Sequence, residues 1–197
     1  RSIFVPFFEH FFDDCRAELD TIFESASSSG KAAKKRKLAK APANDTSDPD
    51  TAVQFFDALT SPERSLQTTL LRAVVGSLRL CFEHDGQTAF VTKERVASIT
   101  PSLVRHLSLA PRDTCYVSEC VVPCISHLAA AAASDVAWKP LNFAVLMHTR
   151  DPSGAVRLAA LEALCACFSL VGEEYLVMLP ESLSFLSELL EDSDAAV

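Results

Sequence analysis

Two cysteines and a histidine on one predicted helix are the residues whose types and spacing best suit a metal ion. Cys120, Cys124 and His127 follow one another four and three residues apart, which places their side chains on one helix face. Thiolate and imidazole groups are the usual ligands of zinc. No second ligand pair with zinc spacing accompanies them, and small thiols also pack well between helices. We therefore predict packing residues here and no metal site.

Other groups that could support catalysis or binding have simpler structural interpretations. Cys165 and Cys167 are too close in sequence to form a metal pair on one helix face. Glu173 and Glu174 lie at a predicted helix N-terminus, where carboxylates interact favourably with the helix dipole. Trp138 begins a helix and is expected to anchor packing rather than to form an aromatic platform. No phosphate-binding loop is formed by the glycines, which are Gly30, Gly76, Gly86, Gly154 and Gly172. The sequence predicts no enzyme, no cofactor and no small-molecule substrate.

The charge of the chain is divided between one basic segment and an acidic remainder. The formal net charge is −8 from 18 basic and 26 acidic side chains, and six of the basic ones lie in residues 31–40. They are Lys31, Lys34, Lys35, Arg36, Lys37 and Lys40. Such a run can be a nuclear localisation signal, a contact for nucleic-acid phosphates or a solvated loop. Because the remainder is acidic and repels phosphates, we expect its folded part to bind proteins more than RNA.

The residues around the basic run have the composition of a disordered insert. The run is flanked by the sequences SASSSG and APANDTSDPD. Residues 25–50 lack the apolar side chains that would offset the entropy cost of ordering. We therefore predict a mostly disordered, Ser-rich and basic insert over residues 25–62.

Outside the insert, apolar residues recur at helical spacing, and no segment alternates with period two. The pattern predicts helices at 4–23, 64–83, 93–108, 114–133, 137–150, 154–171 and 174–191. The expected buried side of the second helix holds Leu66, Leu70, Leu71, Val74, Leu78 and Phe82. The seven cysteines fit reduced, buried thiols of an intracellular protein. No apolar run reaches the roughly 18–20 residues of a membrane span, so no membrane contact is predicted.

The sequence repeats with a period near 40 residues. DPSGAV at 151–156 aligns with DSDAAV at 192–197, and Pro101, Pro140 and Pro180 follow a similar spacing. Two helices per period of this length are typical of HEAT or armadillo repeats. Asp151 is expected to accept backbone N–H groups where the second helix of its hairpin begins.

The fold predicted from this period is an all-α solenoid of HEAT-type helical hairpins, about three and a half repeats long. Residues 1–24 would form the first HEAT helix, residues 25–62 the insert, and residues 63–197 a solenoid truncated at its C-terminal end. Because Arg1 is not an initiator Met and Val197 falls where another helix would begin, we expect a piece of a longer chain.

Several short elements carry a family resemblance. They are Trp138-Lys139 with Leu141-Asn142, Thr149-Arg150 followed by Asp151, Val156-Arg157 with Ala160-Leu161, GEEYLVMLPE at 172–181, FLSELLED at 185–192 and IFVPFFEHFFDD at 3–14. Together they resemble the C-terminal repeats of the nucleolar HEAT repeat-containing protein 1 family, which includes the yeast U three small nucleolar RNA-associated protein 10. The matching motifs also contain Glu173, Glu174, Tyr175 and Pro180. The insert and the sequence CACF depart from the family pattern.

The resemblance implies a nucleolar scaffold without catalytic activity. Such a scaffold belongs to the small-subunit processome, a ribonucleoprotein, and supports small-subunit rRNA processing and transcription of ribosomal DNA. The implied partners are proteins of the early 5′-end subcomplex, the U three small nucleolar ribonucleoprotein and the 5′ external transcribed spacer of pre-rRNA. The resemblance also implies that Arg157 reaches an Asp of an adjacent repeat.

A second hypothesis is an unrelated HEAT-repeat adaptor of the nuclear-transport or phosphatase-scaffold type. Proteins of that type match through the shared packing pattern of helical hairpins. They typically contain many near-identical hairpins and no basic insert, which favours the processome hypothesis for this sequence.

Overall fold

The computed structural model describes residues 10–21, 61–85 and 90–197. The described residues are helices and their connections, with no strand among them. The basic run at 31–40 and most of the predicted insert lie outside these residues. The chain divides into two compact units, Arg1–Val74 and Val75–Val197.

The described residues before Lys93 contain two helices. Residues 10–21 form α1, which buries Phe12, Cys15 and Leu19 at helical spacing. Helix α2 spans Ser61–Glu83. Its buried side chains are Leu71, Val75, Leu78 and Phe82.

The predicted burial of Leu66 and Leu70 on α2 is wrong. Leu66 is 72% exposed and Leu70 is 44% exposed. Leu70 precedes the buried Leu71 by one residue, and one residue rotates the side-chain direction by about 100°. The stripe read from the sequence was therefore wider than the side of α2 that is buried.

Among its described residues, the second unit contains the end of α2, from Val75, and five further helices, some with a short turn of tighter or wider winding. These are α3 (Lys93–Val104) with a 3₁₀ turn (Arg105–Leu109), α4 (Thr114–Ala132) with a π turn (Val117–Val121), α5 (Asp135–His148), α6 (Gly154–Val171) with a 3₁₀ turn (Gly172–Met178), and α7 (Leu179–Leu189).

Alternate helices of the second unit pack side by side in two layers. Helix α5 lies between α3 and α7 in one layer, and α4 packs along α6 in the other. Each hairpin thereby buries its apolar face against its neighbours, as HEAT-type repeats do. The predicted all-α solenoid is confirmed.

Two of the predicted helices include residues that the structure winds as 3₁₀ turns. The helix predicted at 93–108 is α-helical only to Val104. The helix predicted at 174–191 begins as a 3₁₀ turn, and α7 starts at Leu179 with Pro180 in its first turn. Proline has no N–H to donate to a preceding turn, so it favours the first turn of a new helix. Gly172 is the C-cap of α6, with a φ of 78° that favours glycine at this position.

Two helical segments of the described chain are long and apolar enough to cross a membrane, Thr114–Ala132 and Gly154–Leu189. The sequence expectation of no such segment is wrong, because it rested on unbroken apolar runs, and charged residues interrupt both segments, Glu119 in the first and Arg157 and Glu162 in the second. Half of the apolar window in Thr114–Ala132 is buried inside the fold. These buried side chains, such as Ile125 and Leu128, are apolar because they pack in the core of the fold.

Candidate functional site at the junction of adjacent repeats

The turn that joins α5 to α6 has the same local geometry as the turn that follows α7. Asp151 Oδ1 accepts the backbone N–H of Ser153 at 2.8 Å, and Asp192 Oδ1 accepts that of Asp194 at 2.8 Å. Each aspartate closes an Asx turn, which orients the chain as it leaves a helix. The two turns lie at equivalent positions of consecutive repeats.

Arg157 connects these two turns. Its Nε and Nη2 donate to the two carboxylate oxygens of Asp192 at 2.7 and 2.6 Å. Its Nη1 donates to the carbonyl oxygens of Asp151 and Pro152 at 3.0 and 3.1 Å. The side chains of the ion pair are only 14% and 9% exposed. Hydrogen bonds from Arg157 lower the pKa of Asp192. The guanidinium therefore fixes one repeat turn against the next.

A second arginine makes an outer contact between the same two repeats. Arg150 donates from Nε and Nη2 to the carboxylate of Glu188 at 2.8 and 2.6 Å. Its guanidinium lies 4.1 Å from the centre of the Phe185 ring, a cation–π contact. Both charged side chains are about half exposed, so solvent screens this pair more than the Arg157 pair.

A buried polar network fixes the register of α5 against α7. Asn142 Nδ2 donates to Ser182 Oγ at 3.2 Å across 40 residues of sequence. Ser182 Oγ donates to the carbonyl oxygen of Met178 at 2.9 Å, and the Tyr175 hydroxyl donates to Asn142 Oδ1 at 3.5 Å. Asn142, Tyr175 and Ser182 are fully buried. Because an unpaired polar group is costly inside a protein, this network favours one alignment of the repeats.

The ionisable groups of this network stay neutral near physiological pH. Burial raises the pKa of Cys167, which shares a hydrogen bond with Tyr175, to about 12. Burial also raises the pKa of Tyr175 well above its ordinary value. A general acid or base requires a pKa near the working pH. The arrangement therefore supports repeat stacking rather than proton transfer.

Trp138 is buried in an aromatic cluster. It is 3% exposed, and its Nε1 donates to the carbonyl oxygen of Ala129 at 2.7 Å. Tyr175 packs edge-on between Trp138 and Phe168, with ring centres 5.3 and 5.0 Å apart. The indole faces are occupied by protein, so Trp138 packs the repeat junction and offers no platform to a ligand.

The remaining predicted site residues lie apart from this junction. Cys124 is fully buried, while Cys120 and His127 are half-buried. No group of three His, Cys, Asp or Glu residues in the described ranges could hold a metal ion. The π turn Val117–Val121 widens the helix at Cys120, so ideal helical spacing does not hold there. Glu173, Glu174 and Pro180 are exposed in first helical turns.

Two buried polar pairs were not identified from the sequence. His106 Nδ1 lies 2.9 Å from the Tyr116 hydroxyl, and both side chains are buried. Asn142 and Ser182 form the second pair. The sequence could have indicated this second pair, because Asn142 and Ser182 are polar residues at equivalent positions of consecutive repeats, each within an apolar stripe.

Comparison with known proteins identifies relatives over most of the chain. HEAT repeat-containing protein 1 of Homo sapiens is 39% identical over 142 residues, 70% of this chain. An uncharacterised protein of Arabidopsis thaliana is 34% identical over the whole chain. U3 small nucleolar RNA-associated protein 10 of Neurospora crassa is 36% identical over 149 residues, 75% of this chain. No protein-family profile matches.

The chain spans only 6%, 9% and 8% of the lengths of these three relatives. The similarity nevertheless covers 70–100% of this chain, and the helices of the second unit stack as HEAT-type repeats. The chain belongs to the family of HEAT repeat-containing protein 1 and U3 small nucleolar RNA-associated protein 10.

Proposed function

We propose that this chain is part of a non-catalytic scaffold that acts in ribosome biogenesis as a component of the small-subunit processome. The observation that carries the proposal is its 33–36% identity, over 75–77% of its length, to proteins named for association with U3 small nucleolar RNA. The polar contacts at the repeat junction support a structural role, because they join one repeat of this chain to the next. The chain would form the C-terminal part of the solenoid and support small-subunit rRNA processing and rDNA transcription.

The charge of the repeats favours proteins as direct partners of the folded part. Residues 135–197 contain ten carboxylates and three basic side chains. A surface of this sign repels the phosphates of RNA. The proposed partners are processome proteins of the early 5′-end subcomplex. Through them, the scaffold would associate with the U3 ribonucleoprotein and the 5′ external transcribed spacer of pre-rRNA.

Co-purification tests this association directly. The full-length protein would carry a proximity-labelling tag. Labelled proteins would be identified, and co-purified RNA would be sequenced. We expect enrichment of processome proteins, U3 RNA and the 5′ external transcribed spacer over a nuclear protein with the same tag. Enrichment of transport cargo or a phosphatase subunit without pre-ribosomal RNA would overturn the proposal and favour the unrelated adaptor.

A nuclear and nucleolar location is part of the proposal, and the basic run at 31–40 is its proposed import signal. Replacing the six Lys and Arg residues with Gln in the full-length protein should reduce nuclear accumulation, measured by fluorescence microscopy. The matched control replaces Ser27, Ser28 and Ser29 with Ala beside the run. Unchanged nuclear accumulation of the Gln variant would contradict a role of the run in import.

A further inference from the structure

Helix α5 exposes apolar side chains along one face. Val136, Phe143 and Met147 are 48%, 49% and 47% exposed, and Pro140 between them is also exposed. Their spacing of four, three and four residues places them in one line along the helix. The opposite face of α5 is buried and carries Trp138, Leu141 and Asn142. The exposed line is therefore additional to the core face.

Helix α7 extends this apolar surface sideways. Leu183 is 55% exposed and Pro180 is exposed. The Asn142–Ser182 hydrogen bond sets α5 and α7 in register at a spacing of 40 residues. Phe143 and Leu183 each follow a member of this hydrogen-bonded pair by one residue, and Pro140 and Pro180 each precede it by two. We call this surface the outer strip; it consists of Val136, Pro140, Phe143, Met147, Pro180 and Leu183.

The 3₁₀ turn before α7 also exposes apolar side chains, Leu176 and Val177, whereas helices α3 and α6 expose mostly polar or small ones. Helix α3 in the same layer exposes Lys93, Glu94, Ala97 and Pro101. Helix α6 in the other layer exposes Glu162, Cys165, Ser169 and Leu170. Apolar side chains that are scattered over a surface need no explanation, but a contiguous apolar patch marks a site of interaction.

Carboxylates border the outer strip. Asp135 precedes it on α5, Glu181 lies within its α7 part, and both are exposed. Two of the three basic side chains in residues 135–197, Arg150 and Arg157, are held in bidentate pairs with Glu188 and Asp192. The third, Lys139, is exposed on α5 between Val136 and Phe143, and the ten carboxylates of these residues outnumber it. An apolar strip in acidic surroundings complements a partner that is both apolar and basic.

We infer that the outer strip is a docking surface for a basic amphipathic helix of a partner protein. The apolar residues of that helix, spaced at i, i+3 or i+4 and i+7, would pack along α5 and α7. Its Lys and Arg side chains would face the bordering carboxylates. The inference rests on the proposed scaffold role and specifies the chemistry of one of its protein partners.

Site-specific photo-crosslinking in cells tests this inference. Benzoylphenylalanine would replace Phe143 or, separately, Leu183 in the full-length protein. Leu170, which is 44% exposed on α6, provides the matched control position. Cross-linked peptides would be purified under denaturing conditions and sequenced by mass spectrometry. We expect both strip positions, but not position 170, to capture the same Lys- and Arg-rich segment with apolar residues at helical spacing.

Other products would overturn the inference. These are cross-links to nucleic acid, to lipid, to a second copy of this chain or to acidic segments. A cross-linking yield at positions 143 and 183 that is no higher than at position 170 would also overturn it. U3 RNA would be quantified in the same cells. Loss of U3 association with retention of the basic partner would contradict the proposed function alone, whereas U3 association without a basic partner would contradict the docking inference alone.

A charge variant provides a second test that does not depend on cross-linking. Phe143→Asp combined with Leu183→Asp should reduce capture of the basic helix several-fold, because it removes apolar contact area at the centre of the strip. Leu170→Asp should leave capture unchanged. Both variants must retain the wild-type denaturant midpoint, since the altered residues are half exposed. Equal capture by the strip variant and the wild type would overturn the inference.

Discussion

At the scale of single residues, substitutions of two serines on one helix, Ser182 and Ser184, would test the contribution of the buried network to stability. Ser182 bonds to Asn142 and is fully buried, whereas Ser184 is exposed on α7. Ser182→Ala leaves a buried amide group without its partner and should lower the free energy of unfolding by about 1–3 kcal/mol. Ser184→Ala should change it by less than about 0.5 kcal/mol. Urea denaturation of both variants would measure the difference, and equal effects would argue against a role of the network in register.

The Arg157–Asp192 pair should make stability depend on pH in a defined direction. Because Arg157 lowers the pKa of Asp192 below its ordinary value of 3.8, folding favours the ionised carboxylate. This contribution is fully present above pH 3.8 and is lost as the pH falls through the lower, folded-state pKa. Asp192→Asn should therefore destabilise the protein at pH 7, and the difference from wild type should shrink in acid.

The exposed Arg150–Glu188 pair is the control for this pH dependence. Glu188 also has a lowered pKa, but its side chain is 52% exposed. Glu188→Gln should therefore have the smaller effect at pH 7 and lose more of it in high salt. Denaturant midpoints between pH 3 and pH 7 would compare the two variants. An effect of Asp192→Asn that is constant down to pH 3 would contradict the assigned ion pair.

At the scale of elements, the end of α4 contains a residue in an unfavourable conformation. Ala133 is the C-cap and has a φ of 40° in the left-handed region, where Cβ crowds the backbone. Its side chain is exposed, so glycine would remove the strain without a loss of packing. We expect Ala133→Gly to raise the unfolding free energy by about 1 kcal/mol. Thermal denaturation would detect the change, with Ala132→Gly inside the helix as a destabilising control.

The helices and their period could be predicted from the sequence because both depend on local patterns. Apolar residues at helical spacing located α3 to α7, and the recurring DPSGAV and DSDAAV elements showed the repeat. Helix winding depends on more than periodicity, so the π turn at Val117–Val121 and the 3₁₀ turn at Gly172–Met178 were not predicted. Pairings such as Asn142–Ser182 depend on the stacking register, which periodicity alone does not set.

At the scale of the whole molecule, the second unit combines a fixed interior with surfaces of contrasting chemistry. Buried polar contacts between repeats set the alignment of α5 and α7. The outer strip presents apolar side chains in acidic surroundings, while α3 and α6 expose mostly small or polar residues. Stacked repeats of this kind provide extended surfaces for several partners at once. These properties fit a protein whose role is to hold other components in place.

Depletion with rescue of the full-length protein would test the proposed role in small-subunit rRNA processing. The endogenous protein would be depleted, and RNA carrying the 5′ external transcribed spacer would be compared with mature small- and large-subunit rRNA by hybridisation. The proposed function predicts that the spacer-containing precursor accumulates, that mature small-subunit rRNA falls relative to large-subunit rRNA, and that the full-length protein restores both. An unchanged ratio of small- to large-subunit rRNA after depletion would contradict it.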